Sequence, residues 1–377
     1  MNDQRQGLIR DIEVLRAVAV LGVIFKHMNG SLFPKAYFGV GLAPLFDGGW
    51  VGVDLFFAIS GFVIARSLLP KARNAESFAA YRSVSYQFWI MRFFRLVPSA
   101  WFWLAVILLL CVGYNQSGVF GSLETNLYWT LAGVFNFANY LFVQYFGVKP
   151  PGVSFAYWSL SLEEQFYLLF PVIVWIFNRR LAWLLVALVV LQVTATRGLY
   201  GMMFRTDAIS LGVLLALLQG HGYLLPPVGA LWSALGRVVV MLAVVLLFYL
   251  AAFEQSELPY QLSILALCSV TLVWLCSGAQ NVLAGSGIIG RGFVWIGQRS
   301  YAMYLIHIPA MYFLRESAYR LGIDIVDYRW GSAMLSLVLI VALAEGNYRW
   351  VENPLRRRGK ALAARLSARR RQLSQLV

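Results

Sequence analysis

Ile12-Glu13-Val14-Leu15-Arg16, then an apolar run, then Phe25-Lys26-His27-Met28 form one stretch, at the lower end of the roughly 17–25 residues that a membrane-spanning helix needs. An arginine at the middle of a bilayer costs roughly 2.5–3.5 kcal/mol on insertion scales, so such a residue faces a partner or a water-filled cavity inside a bundle. Arg16 and His27 are eleven residues apart, close to three whole turns. Their side chains therefore share one helix face, about 16 Å apart along the axis. The stretch reads as a spanning helix that lines a site, with a cation deep inside and an imidazole near its far end.

The rest of the chain has the same solvent. It is 60% hydrophobic and 13% charged over 377 residues, with mean hydropathy +0.68, far from the balance of a soluble domain. Apolar stretches at 12–28, 51–69, 96–113, 159–178, 181–196, 206–220, 237–253, 260–277, 293–313 and 332–351 predict an all-α, polytopic transmembrane bundle of about ten spans. Tyr128 to Tyr145 is aromatic but carries Asn136, Asn139 and Gln144, which predicts a re-entrant or interfacial segment buried against protein.

Basic residues are retained on the cytoplasmic side of short loops. With the N-terminus inside, the inner segments collect Arg5, Arg10, Arg66, Lys71, Arg73, Arg82, Arg92, Arg95, Arg179, Arg180, Arg237, Arg291, Arg299 and the arginines from Arg349 to Arg371. The outer ones keep Lys35, Lys149, Arg197, Arg205, Arg315, Arg320 and Arg329. Both termini are thus expected in the cytoplasm. A membrane unit over 1–355 is followed by a basic amphipathic tail over 356–377, facing anionic inner-leaflet lipid. The net charge of +14 then reflects topology and contact with membrane lipid rather than nucleic acid, for which no binding signature appears. The first stretch lacks a small-residue cleavage site and is expected to stay as a signal anchor. Cys111, Cys268 and Cys276 lie in or beside apolar spans without CxxC spacing, so neither a disulfide framework nor a metal site is expected.

On this topology the remaining ionisable residues gather in the outer half. His27 ends the first span and Asp54 starts the second. Glu163 and Glu164 occupy the first turns of an inward-running helix, where a carboxylate suits the helix dipole. Arg205 and Asp207 open another inward-running helix, and His307 lies about two thirds of the way out along 293–313. Arg92 and Arg95 form an inner pair, three apart on one helix face, able to hold phosphate through fixed donors. Structural readings stand beside these. The arginine pair also fits a topological anchor, Asp54 a helix cap, His307 a packed interior residue and His27 a helix end satisfied by water or headgroups. His221 is given no role.

In order and spacing the chain resembles the acyltransferase-3 family of multi-span membrane enzymes over nearly its whole length. The resemblance rests on the Arg16–His27 pair, Gly52-Val53-Asp54-Leu55-Phe56-Phe57 with Ser60-Gly61-Phe62, and Arg92-Phe93-Phe94-Arg95 with Pro98. It continues through Trp158-Ser159-Leu160-Ser161-Leu162-Glu163-Glu164-Gln165-Phe166, Arg205-Thr206-Asp207 with Gly212, Gly297 to His307, and Glu352-Asn353-Pro354. It implies transfer of an acyl group, most commonly acetyl, from cytoplasmic acetyl-CoA or another acyl-CoA to a glycan hydroxyl presented at the other face, in a bacterial inner membrane. It implies no metal.

In that reading Arg92 and Arg95 hold the CoA phosphates, and Arg16 lies along the donor arm or orients a buried carboxylate. His27 is the general base, with Glu163, Glu164 or Asp54 fixing its tautomer. Arg205, Asp207, Ser159, Ser161 and His307 are candidates for substrate or oxyanion contacts. Some family members carry a further extracytoplasmic hydrolase-like domain, and here a stand-alone form is expected, working alone, as a homo-oligomer or with polysaccharide-assembly partners. Two rival readings remain open at this point. One is a proton-coupled transporter or flippase for a polysaccharide precursor, since charges inside spans also mark transport pathways. The other is a non-catalytic assembly subunit, which would tolerate loss of His27.

Overall fold

The computed structural model describes residues 8–32, 46–195, 197–253, 257–258, 260–278, 280–325 and 327–374, the last without side chains beyond 367. Arg5 and Lys35, used above for orientation, lie outside the described residues, as do the side chains of Arg369, Arg370 and Arg371. Each of the predicted apolar stretches falls on a helix, and no strand occurs among the described residues.

In chain order the helices are α1 (Arg10–Ser31), α2 (Gly52–Arg73), α3 (Phe78–Gly113), α4 (Leu123–Val134), α5 (Ala138–Tyr145), α6 (Tyr157–Phe177) and α7 (Leu181–Thr194). They continue with α8 (Leu199–Met203), α9 (Asp207–Gly220), α10 (Ala230–Ala251), α11 (Gln261–Cys276), α12 (Ile288–Arg320), α13 (Arg329–Asn347) and α14 (Asn353–Ser374). Five helical stretches are long and apolar enough to cross a membrane on length and composition alone: 48–73, 78–113, 157–194, 230–251 and 329–367. α1 is not among them; its ionisable residues, Arg16 and His27 included, lower its apolarity, and it is surrounded by protein instead.

Two helices run well past their predicted starts. α3 begins at Phe78 rather than near 96, because Ser77 caps it by accepting from the Ala80 N–H and nothing breaks the helix before Pro98. It therefore carries Arg92 and Arg95 on a continuous helix. α12 likewise extends on both sides of 293–313. The aromatic stretch at 128–145 is two short helices, α4 and α5, broken at Asn136, which adopts a left-handed φ of 58°, a conformation asparagine tolerates better than most residues. Gln165 on α6 secures the break, its Nε2 donating to Asn136 O at 2.7 Å and Asn139 Oδ1 at 3.0 Å.

The core is built from α1, α2, α9 and α12. α1 and α12 run in the same direction, with Gly297 against Glu13 near their starts and His307 beside His27 further along. Gly297 is needed for this approach, since a Cβ there would lie 1.9 Å from the Glu13 carbonyl oxygen. α2 and α9 also run side by side in one direction, joined by Asp54–Arg205 at one end and by the Arg73–His221 contact at the other. Outside this core, α7, α10 and α13 present exposed apolar faces, including Trp183, Leu242 and Met334, as hydrocarbon-facing helices do. α14 packs back along α3, with Gly359 on the Phe94 ring. A π-helical turn, Tyr348–Glu352, joins it to α13.

Candidate active site

Where α1, α2, α3, α6 and α12 meet, a cavity of about 70 Å³ is lined by Arg16, Ser60, Arg92, Arg95, Glu163 and Tyr304 among others. A water needs roughly 10–15 Å³ of such space, so the cavity holds a few waters or a slender chain. α3 contributes two of the three guanidinium groups, because Arg92 and Arg95 share a face. Arg92 lies over the Tyr167 ring at 5.2 Å and the Phe88 ring at 5.6 Å. Arg16 donates to Glu13 Oε1 at 2.8 Å. Glu163 Oε1 accepts from Ser60 Oγ and from the Tyr167 hydroxyl.

The lining thus sets three guanidinium groups against one carboxylate, Glu163, with Arg16 paired to Glu13 as well. The Arg95 Nε and the Glu352 Oε2 are buried with no hydrogen-bond partner among the described residues. An unsatisfied buried donor of this kind costs about 1–3 kcal/mol until a ligand or water meets it.

From the cavity, hydroxyls lead to the histidines. The Tyr304 hydroxyl lies 2.7 Å from Ser159 Oγ and donates to Ala156 O at 3.2 Å. One turn on, His307 Nδ1 lies 2.6 Å from the Tyr304 carbonyl oxygen. A carbonyl only accepts, so the proton sits on Nδ1 and the Nε2 lone pair is left free. That Nε2 is buried and has no partner among the described residues. The His27 and His307 rings lie 5.2 Å apart between centroids, and Phe155 meets His27 edge-on at 5.3 Å.

The expected outer cluster of histidines and carboxylates is thus divided. Asp54 is not a partner of His27. Its carboxylate is held bidentately by Arg205, Nε to Oδ1 at 2.7 Å and Nη2 to Oδ2 at 2.9 Å, with both side chains buried. Arg205 also lies over Trp158 at 5.2 Å, which occupies its planar face as well as its edge. Asp207 accepts from Arg197 at 2.7 Å and from the Ala208 N–H at 3.0 Å.

Glu163 belongs to the arginine cavity, and Glu164 lies among Asn136, Tyr157 and Tyr301. Ser161 accepts from the Ala138 N–H at 3.2 Å and anchors the start of α5. No carboxylate is hydrogen-bonded to His27 among the described residues; its ring neighbours are His307 and Phe155. Arg205, Asp207 and Ser161 are engaged in holding helices together, whereas Ser159 lies between the cavity and the histidines.

Sequence reasoning passed over Ser60, Tyr167, Tyr304 and Phe155. Tyr304 had a legible signal, lying three residues before His307 and thus on the same helix face. Tyr167 had the same kind of signal, lying four residues after Glu163 on α6, whereas Ser60 had none, because it acts through Glu163, which is far from it in the chain.

A family profile described as an acyltransferase domain matches residues 9–344. The chain is 27% identical over 376 residues to the peptidoglycan O-acetyltransferase OatA of Listeria monocytogenes, covering 93% of this chain and 56% of that protein. It is 25% identical over 395 residues to the O-acetyltransferase OatA of Staphylococcus aureus, covering 97% of this chain and 60% of that one. The chain therefore spans less than two thirds of the length of these relatives. No solved structure matches it significantly.

Proposed function

Because the chain belongs to the acyltransferase-3 family, we propose that it is a membrane O-acyltransferase that moves an acetyl group from acetyl-CoA to a hydroxyl of a cell-envelope glycan. The observation that carries the proposal is the continuity of three parts: a cationic cavity at Arg16, Arg92 and Arg95, the Ser159–Tyr304 hydroxyl pair, and two imidazoles at the far end. A donor with anionic phosphates and a slender arm complements that layout. The relatives' names support acetyl as the group and a wall polysaccharide as the acceptor. The distribution of Lys and Arg supports a cytoplasmic arginine end and an outward histidine end in a bacterial inner membrane.

In the reaction, the acceptor hydroxyl attacks the thioester carbonyl. A C–O bond forms, the C–S bond breaks, and the proton leaves the hydroxyl for His27 and ends on the CoA thiolate. An alcohol does not ionise near neutrality unaided, and a positioned base contributes about 10²–10⁴-fold. His307 is the ring neighbour whose free Nε2 lone pair can stabilise a protonated His27. It meets His27 as a ring neighbour and not, like the carboxylate of a serine-protease triad, through a standing hydrogen bond. The Tyr304 or Ser159 hydroxyl, turned away from the Ala156 carbonyl that both reach, is the donor for the developing oxyanion. Transfer is direct, in a ternary complex.

The test is acetyl-CoA turnover by the full chain in nanodiscs, wild type beside His27→Ala, with CoA binding measured on both. CoA bound by both, with turnover lost only in the variant, is expected. Folded wild type that binds no acyl-CoA would overturn the proposal in favour of transport. Label accumulating covalently on the protein from acetyl-CoA without acceptor would replace direct transfer by an acyl-enzyme.

A further inference from the structure

Next to the histidine pair lies a second cavity, of about 230 Å³, walled by Phe142, Tyr145, Phe146, Lys149, Pro151 and Phe155. Sites for drug-sized ligands run to roughly 300–1,000 Å³, so this one suits a single ring. Phe155 is common to the cavity and to the surroundings of His27, with 5.3 Å between ring centroids. Lys149 sits over the Tyr145 ring at 4.3 Å, is exposed, and pairs with no carboxylate among the described residues. The wall is apolar and aromatic with one accessible ammonium at its rim.

The cavity is held open by its surroundings rather than by its own rings. Trp129, fully buried, packs against Tyr145 at 5.6 Å and Phe142 at 6.3 Å between centroids. Gly152 lies against the same indole, where a Cβ would come within 2.7 Å of it. Buried Asn126 accepts from the Val153 N–H at 3.0 Å and donates to Phe120 O at 2.6 Å. Gly147 takes the left-handed φ of 72° that turns the chain after α5. A prebuilt aromatic pocket costs little ordering when a ligand enters.

The geometry points to this cavity as the acceptor subsite, taking one sugar ring that bears an anionic substituent. The C–H face of a pyranose packs on aromatic rings, and its carboxylate meets Lys149. The hydroxyl to be acylated then reaches His27 past Phe155. This inference rests on the acyltransferase reading for its meaning, but its binding step is separable from that reading.

The test is saturation-transfer NMR on the full chain in nanodiscs with glucuronic acid and glucose as probes, on wild type, Lys149→Gln and Phe146→Ala. Both substituted side chains are exposed, and unfolding temperatures on the same samples check that each variant is folded. Wild type should prefer glucuronic acid by about fivefold, the scale of one exposed ion pair. Lys149→Gln should bring that ratio near one, and Phe146→Ala should weaken both probes. Equal binding of the two sugars by wild type, or variants that bind as wild type does, would overturn the subsite. Binding as expected without any acetyl transfer would sustain the subsite while overturning the acyltransferase reading. Transfer that proceeds while neither variant alters sugar binding would do the reverse.

Discussion

At the Arg16 end of α1, three guanidinium groups share a small cavity with Glu163, a carboxylate already held by Ser60 and Tyr167. At the His27 end, two imidazoles sit among aromatic rings, and no carboxylate is hydrogen-bonded to either among the described residues. The first region is organised around permanent charge. The second is organised around two imidazole rings, which carry no fixed charge. Buried like charges are stabilised when an anion arrives, whereas an imidazole acts as a base through a lone pair that is free to take a proton. Binding of an anionic donor and proton transfer are thereby assigned to different ends of one helix.

The division can be broken by substitution at either end. His27→Ala should lower acetyl transfer by about 10²–10⁴-fold with CoA affinity unchanged. Asp54→Asn should destabilise the fold by about 3–5 kcal/mol, because it leaves Arg205 buried without its partner. Thermal unfolding checks this, and an Asp54→Leu, Arg205→Met double variant should recover part of the loss. If Asp54→Asn left stability intact and abolished turnover, the pair would belong to the chemistry and the boundary drawn here would move.

Arg95→Gln should weaken CoA binding by about tenfold or more, the worth of a charged hydrogen bond, with kcat at saturating acetyl-CoA largely preserved. Equal losses in kcat and kcat/KM would instead place Arg95 in the transition state.

The smallest effect is expected away from both ends. Glu316, in the last turns of α12, accepts from the Gln116 and Ser117 N–H groups, from the Ser117 hydroxyl, and from Arg320 at 2.8 Å. Burial by itself would raise its pKa, but these donors outweigh burial and hold it down to about 2. A carboxyl whose folded pKa is depressed stabilises the protein above its unfolded value and loses that contribution as pH falls through the folded one. Wild type should therefore lose more unfolding temperature than Glu316→Gln between about pH 5 and pH 2, while the two converge in acid. Parallel acid profiles would remove Glu316 as the clasp on residues 116–117.

The helices were legible because uninterrupted apolar runs admit few alternatives in a membrane. The ionisable residues were legible because each is costly there. Their pairing was not, since nothing along the chain says whether Asp54 belongs to His27 or to Arg205, 151 residues away. Periodicity could place Arg92 and Arg95 on one face, and the structure turns that face into the cavity. It could not place Glu163 there, because helix phase alone leaves open which neighbour a face meets. The two-helix break at Asn136 was foreshadowed by its polar residues, while the aromatic cavity beside it depends on Trp129 and Gly152 meeting in space.

Gly297 packed on the Glu13 backbone gives the pair α1 and α12 a fulcrum. The helices touch there at backbone distance and cannot slide past one another without a clash. His307 lies ten residues beyond Gly297, about 15 Å along the helix, so the imidazoles sit at the tips of two levers. A tilt of a few degrees at the fulcrum opens the gap between the rings by about an ångström, which is enough to make or lose a proton-transfer contact. A single methyl group at position 297 would therefore be felt most at the histidines, three turns from where it was added.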